Sequence, residues 1–169
     1  MAYHESGHAT VSRLLGLPVA GATIEFVNGH HGCTWSNESD LEPGAETVAD
    51  ICAALKPLMP GMIDTELEQA HSHVVAWLAG VEAEELFCNE LLPNTGHDLR
   101  AARAVAELIV RDVSDVAAYI NFARTETRAL LTKFAGAVIA IASALVEHRT
   151  INRFQIESIV KESVNDGTR

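Results

Sequence analysis

The sequence predicts a mainly helical domain that carries one small β-hairpin near its N-terminus. Histidines and apolar residues recur at helical spacing from the first residues onwards. A short stretch rich in β-branched residues follows and is bounded by turn signals. From about Glu46 the chain returns to helical patterning for most of its length. We therefore expect a mainly α fold of the α+β kind, a bundle-like helical domain with one edge hairpin.

The first predicted element is a helix over residues 1 to about 15. Its histidine and apolar positions recur at intervals of four, three and four residues, which places them on one helical face. These positions are His4, His8, Val11 and Leu15. Gly16 and Pro18 should end this helix, because glycine favours the left-handed cap and proline cannot continue a helix.

A small antiparallel hairpin is predicted next. Val19–Val27 is rich in β-branched and small residues, an Asn-Gly pair then gives a turn signal, and Gly32–Trp35 resumes an extended pattern. The polar residues 36–45, which include a proline and a glycine, predict a loop.

The rest of the chain is predicted to be helical. A first helix from about Glu46 should end near Pro57 and Pro60, because proline breaks helices. The helices after it should cover Asp64–Asn89, Asp98–Val113, a bent stretch Ser114–His148, and Asn152–Val164. The helix over Asp64–Asn89 should bury an apolar face made of Leu67, Val74, Leu78 and Leu86.

Size and composition indicate one soluble domain. A chain of 169 residues can bury most of its apolar surface, and 48% hydrophobic with 21% charged residues is usual for globular proteins. We therefore expect a single domain over residues 1–169. The formal charge of −11 and the lack of a basic cluster in the sequence argue against nucleic acid as a partner, because binding phosphates requires clustered Lys and Arg.

Cysteine spacing and apolar segments bear on location. Cys33, Cys52 and Cys88 are widely spaced and form no CxxC pair, which is typical of reduced thiols in a cytoplasmic protein. The most apolar stretch, Phe134–Val146, spans 13 residues, whereas a membrane span needs about 20. We therefore expect a cytoplasmic protein without membrane contact of its own, in which this stretch is a core helix.

The strongest chemical signal is His4-Glu5-Ser6-Gly7-His8, an HExxH motif. Histidines four residues apart share one helical face, where both imidazoles can reach one zinc ion at about 2.0–2.1 Å. Zinc lowers the pKa of a water that it binds toward about 7, and a neighbouring carboxylate can pass that proton to a leaving amine. The motif predicts His4 and His8 as metal ligands and Glu5 as the catalytic base. Gly7 would let another backbone approach this helix closely.

A catalytic zinc also needs a third protein ligand and an open fourth position. Residue type and spacing do not choose among the candidates. These are Glu82, Glu84 and Glu85 on the long helix, one of His71 and His73, His30 and His31 in the hairpin, and Asp98 at a predicted helix start.

Five segments, taken in order along the chain, carry a family resemblance. They read HESGHA from His4, GCTW from Gly32, LAGVEAEELF from Leu78, NTGHDLRAA from Asn94 and IASALVEHRT from Ile141. The chain thereby resembles the peptidase domain of the FtsH family, the membrane-anchored, ATP-dependent zinc proteases of bacteria and mitochondria. The family's corresponding segments read HEAGHA, G-x-T, GGRAAEELIF, TGASNDLERAT and A-x-x-L-L-E-x-x-T.

The resemblance implies roles for residues that the zinc motif leaves open. The family's third zinc ligand is the Asp of its N-D-L segment, which corresponds to Asp98. Glu84 and Glu85 would then be structural or orient a ligand histidine, and His97, which replaces the family's Asn, is a competing ligand. The family's edge strand, where a polypeptide substrate would add as a further strand, corresponds to Gly32, Cys33, Thr34 and Trp35.

The implied activity is zinc-dependent endopeptidase cleavage of flexible or unfolded polypeptides. Family members join this domain to ATPase and transmembrane parts, and this chain has no GxxxxGK[ST] phosphate loop. We therefore expect the peptidase domain alone, working either as a homo-oligomer or with a separate ATPase partner. The alternative is a non-catalytic helical interaction module with a structural or vestigial zinc site. The intact Glu5 favours the enzyme, because a structural site needs ligands but no base.

Overall fold

The computed structural model describes residues 1–27, 30–36, 64–88, 96–110 and 112–166. Within them the elements are α1 (Ala2–Leu14), β1 (Gly21–Val27), β2 (His30–Trp35), α2 (Asp64–Phe87), α3 (Gly96–Ile109), α4 (Val116–Lys133), α5 (Ala135–His148), β3 (Thr150–Asn152) and α6 (Arg153–Asp166). The prediction of a mainly helical fold with one small β element is confirmed. The predicted loop beyond residue 36 and the predicted helix from about Glu46 lie outside the described residues.

The three strands form one antiparallel sheet in the order β2-β1-β3. The predicted hairpin is β1 paired with β2, in a register that sets Gly21 opposite Trp35 and Thr23 opposite Cys33. A Cβ at Gly21 would collide with the indole ring of Trp35, so only glycine fits there. The sequence does not predict the third strand, because Thr150–Asn152 is too short to show alternation and is placed by its pairing with β1.

Helix α1 packs against α2 on one side and against α5 and the sheet on another. Val11 belongs to an apolar cluster with residues of α2, α3 and α4, and Ala9 belongs to a second cluster with residues of α5 and α6. A Cβ at Gly7 would collide with the carbonyl oxygen of Ala79 and lie 2.7 Å from the Cβ of Ala83. The glycine inside the motif therefore lets α1 approach the backbone of α2, as predicted.

Of the four positions predicted for the apolar face of α2, two are buried, one is half-buried and one is exposed. Val74 and Leu78 are buried and Leu67 is half-buried, but Leu86 is 37% exposed. Leu86 lies in the last turn of α2, which ends at Phe87. Side chains at the end of a helix have neighbours on fewer sides, so periodicity overestimates burial there.

The predicted bent helix over residues 114–148 is two helices. A short 3₁₀ turn precedes α4, and α4 and α5 meet at a bend of 78°. Five residues of α5 are buried, which confirms that the apolar stretch is a core helix: Ala137, Val138, Ile141, Ala142 and Leu145. Within the described ranges no single helix has both the length and the apolarity to cross a membrane, and the pair Val113–Lys133 and Ala135–His148 meets those two criteria only together.

An ion-pair cluster joins α2 to α4. Glu82 of α2 is fully buried, and its two carboxylate oxygens accept hydrogen bonds from Arg124 and Arg128 of α4. The same two guanidinium groups also contact Glu85. A buried carboxylate is stable in the fold only when it is paired, so this cluster specifies how α2 packs on α4.

We expect the double substitution Arg124→Ala and Arg128→Ala to lower the free energy of unfolding by about 3–5 kcal/mol, because it leaves the buried Glu82 unpaired. Urea unfolding followed by circular dichroism measures this loss. Arg103→Ala is the control, since Arg103 forms an exposed pair with Glu107 one helical turn away, and such pairs contribute roughly 0.3–0.5 kcal/mol. Equal losses in the two proteins would contradict a specific role for the cluster.

Candidate metal centre

Three side chains from two helices converge at one point. The Nε2 atoms of His4 and His8, one turn apart on α1, lie 3.0 Å from each other. Asp98, in the first turn of α3, places Oδ2 at 3.1 Å from Nε2 of His4 and 3.5 Å from Nε2 of His8. This is the group of potential metal ligands that the described part of the chain brings together.

The separations suit a tetrahedral ion. Two ligand atoms that each lie about 2.0–2.1 Å from one zinc are about 3.3 Å apart at the tetrahedral angle. The three separations in this site lie on both sides of that value. Two imidazoles and one carboxylate are also a ligand set that zinc takes in catalytic sites, where a fourth position stays open.

Gly80 of α2 keeps the space beside the two imidazoles clear. A Cβ built at Gly80 would collide with Nε2 of His8 and would lie 2.7 Å from Nε2 of His4. These are the two nitrogen atoms that would bind the ion. Any larger residue at this position would therefore collide with both rings, and the ligand atoms that Gly80 leaves undisturbed fit a metal.

The other nitrogen of each ring is held by α2. Nδ1 of His8 lies 2.8 Å from the backbone carbonyl oxygen of Ala76, to which it can only donate. Nδ1 of His4 lies 3.4 Å from Oε1 of Glu84, which is 1% exposed. Partners of this kind select the tautomer in which Nε2 presents its lone pair to a metal. Both rings are therefore oriented from behind.

The metal-free site is stabilised by charge. Burial alone would lower the pKa of His4, but the hydrogen bond to Asp98 and the nearby carboxylates of Glu84 and Glu5 outweigh burial and raise that pKa to about 9. Burial alone would raise the pKa of Asp98, but His4 and His8 hold it well below its usual range. At neutral pH an imidazolium thus lies against a carboxylate, and a metal cation would replace that proton.

Glu5 lies next to His4 in sequence but points to strand β2. Its side chain is buried, and Oε2 accepts a hydrogen bond of 2.9 Å from the hydroxyl of Thr34. Burial raises the pKa of Glu5, against the opposing effect of the neighbouring His8 and His4 side chains and of the Thr34 hydrogen bond. The predicted base is thus a carboxyl group shielded from bulk water beside the candidate ligands.

The remaining candidates for a third ligand lie elsewhere or behind the site. Glu84 is behind His4, as the resemblance implies for one of the two glutamates, whereas Glu85 belongs to the cluster with the two arginines of α4. His97 is 64% exposed, and its Nδ1 lies 3.6 Å from Oδ1 of Asp98, the oxygen that faces away from His4 and His8. The side chains of His30 and His31 lie outside the described part.

His71 and Glu82 are both engaged away from the site. The two ring nitrogens of His71 contact Tyr119 and Glu126 of α4, at 2.6 and 2.8 Å. Glu82 is bound by the two arginines of α4, and the ring of His73 packs on Trp77. These residues therefore serve the packing of α2 and do not point at His4 and His8.

The predicted substrate strand is next to the predicted base. Among the described strands β2 lies at one edge of the sheet and pairs with β1. Thr34 and Gly32 face Glu5, whereas Trp35 is buried against Gly21 and Cys33 is half-buried. A polypeptide that added to this edge would contact mainly the backbone of β2.

Sequence reasoning misses Gly80, and it predicts Thr34 as part of the substrate strand but not as the hydrogen-bond partner of Glu5. A glycine inside a long helix costs about 1 kcal/mol relative to alanine, so Gly80 carried a signal of close packing, though not of what packs there. Comparison of the chain with models of known protein families and with characterised proteins gives no match. The case for the site is therefore its geometry.

Proposed function

We propose that this chain is a zinc metalloendopeptidase domain of the FtsH type, with His4, His8 and Asp98 as metal ligands and Glu5 as general base. The observation that carries the proposal is the convergence of two Nε2 atoms and one carboxylate oxygen in front of Gly80. A buried glutamate lies next in sequence to the first ligand, which favours catalysis over a purely structural site.

Each residue of the site has a separate role in the proposed hydrolysis. Bound zinc supplies a Lewis acid that activates water and polarises the scissile carbonyl. Glu5 takes a proton from the attacking water and returns it to the leaving nitrogen. Glu84 and the carbonyl of Ala76 hold the two imidazoles in the orientation that ligation requires. Burial of Glu5 keeps bulk water from competing for the proton.

The expected substrates are flexible or unfolded polypeptides. A strand at the edge of a sheet can accept one further strand, and β2 offers its edge beside Glu5. Folded substrates would need to be unfolded first, and a separate ATPase partner would carry out that unfolding. We also propose that the chain forms a homo-oligomer and that it is cytoplasmic, the second because its cysteines are widely spaced.

The first test is the zinc content of the purified chain. We expect about one zinc per chain in the wild type and a large loss in Asp98→Ala, because a site of two imidazoles alone lacks one of three ligands. Asp115→Ala, at an exposed aspartate before α4, should keep its zinc. Elemental analysis after dialysis against zinc at neutral pH measures all three proteins.

Each result separates the hypotheses. No zinc in the wild type would overturn the metal centre and leave a helical scaffold. Zinc that survives in Asp98→Ala would assign the third ligand to another residue, with His97 and Glu84 the next to be substituted. Zinc without cleavage of any unfolded polypeptide would favour the alternative, a non-catalytic interaction module with a structural ion.

A further inference from the structure

Strand β2 contacts both oxygens of the Glu5 carboxylate. On one side the hydroxyl of Thr34 lies 2.9 Å from Oε2, and it also lies 3.2 Å from the backbone oxygen of Glu5. On the other side a Cβ built at Gly32 would lie 2.6 Å from Oε1 and equally close, at 2.6 Å, to Sδ of Met1. The strand thus engages Oε2 with a hydrogen bond and places no side chain of its own against Oε1.

Gly32 and Thr34 are two residues apart, so they share one face of the strand. The pairing of β2 with β1 sets Thr34 opposite Ala22, which is fully buried, and so anchors the strand in the core. Gly32 has a φ of +81°, a conformation that residues with a Cβ rarely adopt. The backbone angle therefore requires glycine at position 32, and a Cβ there would also displace Oε1 of Glu5 and Sδ of Met1.

We propose that Gly32 and Thr34 are positioning residues that hold Glu5 so that Oε2 is engaged and Oε1 takes the proton. This rests on the proposed function, because Glu5 must be the base. As the water oxygen bonds to the carbonyl carbon, a proton of that water moves to Oε1. Glu5 then gives this proton to the nitrogen as the carbon–nitrogen bond breaks. A carboxylate free to rotate would spend part of its time with neither oxygen in place.

The role differs from the one that the resemblance implies for these residues. Contact with substrate would make the side chains of β2 affect substrate binding. Positioning of Glu5 makes the hydroxyl of Thr34 affect the rate of the chemical step instead. A role in substrate contact therefore predicts a change in KM, whereas a role in positioning Glu5 predicts a change in kcat.

The test compares Thr34→Val, which removes the hydroxyl at nearly constant volume, with Thr34→Ser, which keeps it. In the zinc-loaded protein we expect Thr34→Val to lower kcat for an unfolded polypeptide by about 10- to 100-fold, with KM and zinc content unchanged. Thr34→Ser should restore kcat to near wild type. Thr125→Val, which removes an exposed hydroxyl on α4, is the control and should match the wild type. Thr34→Ala replaces Thr34→Val if that variant does not fold.

A second readout needs no turnover. In the full metal-free chain Thr34→Val should lower the melting temperature by about 2–4 °C, and by less in a Glu5→Ala background, because the bond to Oε2 is then already lost and only the contact with the backbone oxygen of residue 5 remains. Equal losses in the two backgrounds would overturn the proposal, as would a Thr34→Ser variant as slow as Thr34→Val. The wild type could cleave nothing while Thr34→Val still lowers the melting temperature less in the Glu5→Ala background. That result would support the contact between Thr34 and Glu5 and would contradict only the proposed function.

Discussion

Glu5→Gln is expected to lower kcat for polypeptide cleavage by about 10²- to 10⁴-fold while zinc stays bound. The amide cannot accept the proton of the attacking water, yet it has the size of the carboxylate and still offers an oxygen to the hydroxyl of Thr34. Because His4, His8 and Asp98 are untouched, the metal content should remain near that of the wild type. Cleavage of a labelled unfolded polypeptide, with zinc measured in the same preparation, gives both values.

Glu25→Gln supplies the matched control for this loss. Glu25 lies on β1 and is exposed, so the same change from carboxylate to amide should leave kcat unaltered there. Cleavage retained in Glu5→Gln with zinc bound would show that the proton is taken elsewhere, and Glu5 would then lose its assigned role. A loss of zinc together with the loss of cleavage would instead show that Glu5 contributes to metal binding.

Gly80→Ala is expected to abolish zinc binding, with a fall in affinity greater than the roughly 10- to 100-fold loss typical when a residue behind a metal ligand is removed. The added methyl group would collide with the rings of His4 and His8 beside their Nε2 atoms. The substitution keeps every ligand residue in the sequence, so the loss would come from the displacement of the two rings. Competition titration with a zinc chelator measures the change.

Gly136→Ala is the control for this substitution. A Cβ at Gly136 has only an ordinary contact, with the hydroxyl of Ser163 at 3.8 Å, so zinc binding should be unchanged. Both substitutions place alanine in a helix, which by itself favours the helix by up to about 1 kcal/mol. A Gly80→Ala chain that binds zinc as tightly as the wild type would mean that zinc binding does not depend on the position that the two rings take against Gly80.

Local patterns were sufficient for much of the fold. The helical spacing of His4, His8 and Val11 predicts α1, and the Asn-Gly signal predicts that β1 and β2 pair as a hairpin. Patterns of this kind act over a few residues, so they do not predict strand β3, whose partner β1 lies far away in the chain. They also place Leu86 in the core, although the end of α2 leaves it exposed.

The assignment of carboxylates shows the same limit. Spacing leaves Glu82, Glu84, Glu85 and Asp98 as equal candidates near the histidines, since all are acidic residues on or beside helices. The family resemblance points to Asp98 for the third ligand. In the structure Asp98 lies 3.1 Å from His4, although the two are 94 positions apart in the sequence. Glu82 instead forms ion pairs with the two arginines of α4.

The sequence by itself determined the helix that carries two histidines on one face with Glu5 between them, because that arrangement follows from 3.6 residues per turn. The tertiary structure decided which carboxylate approaches the histidines, which group lies behind each ring, and that Gly80 leaves room for both rings. Those features depend on how α2, α3 and β2 pack on α1. Contacts between elements distant in the chain leave no periodic trace in the sequence, so only the folded chain shows them.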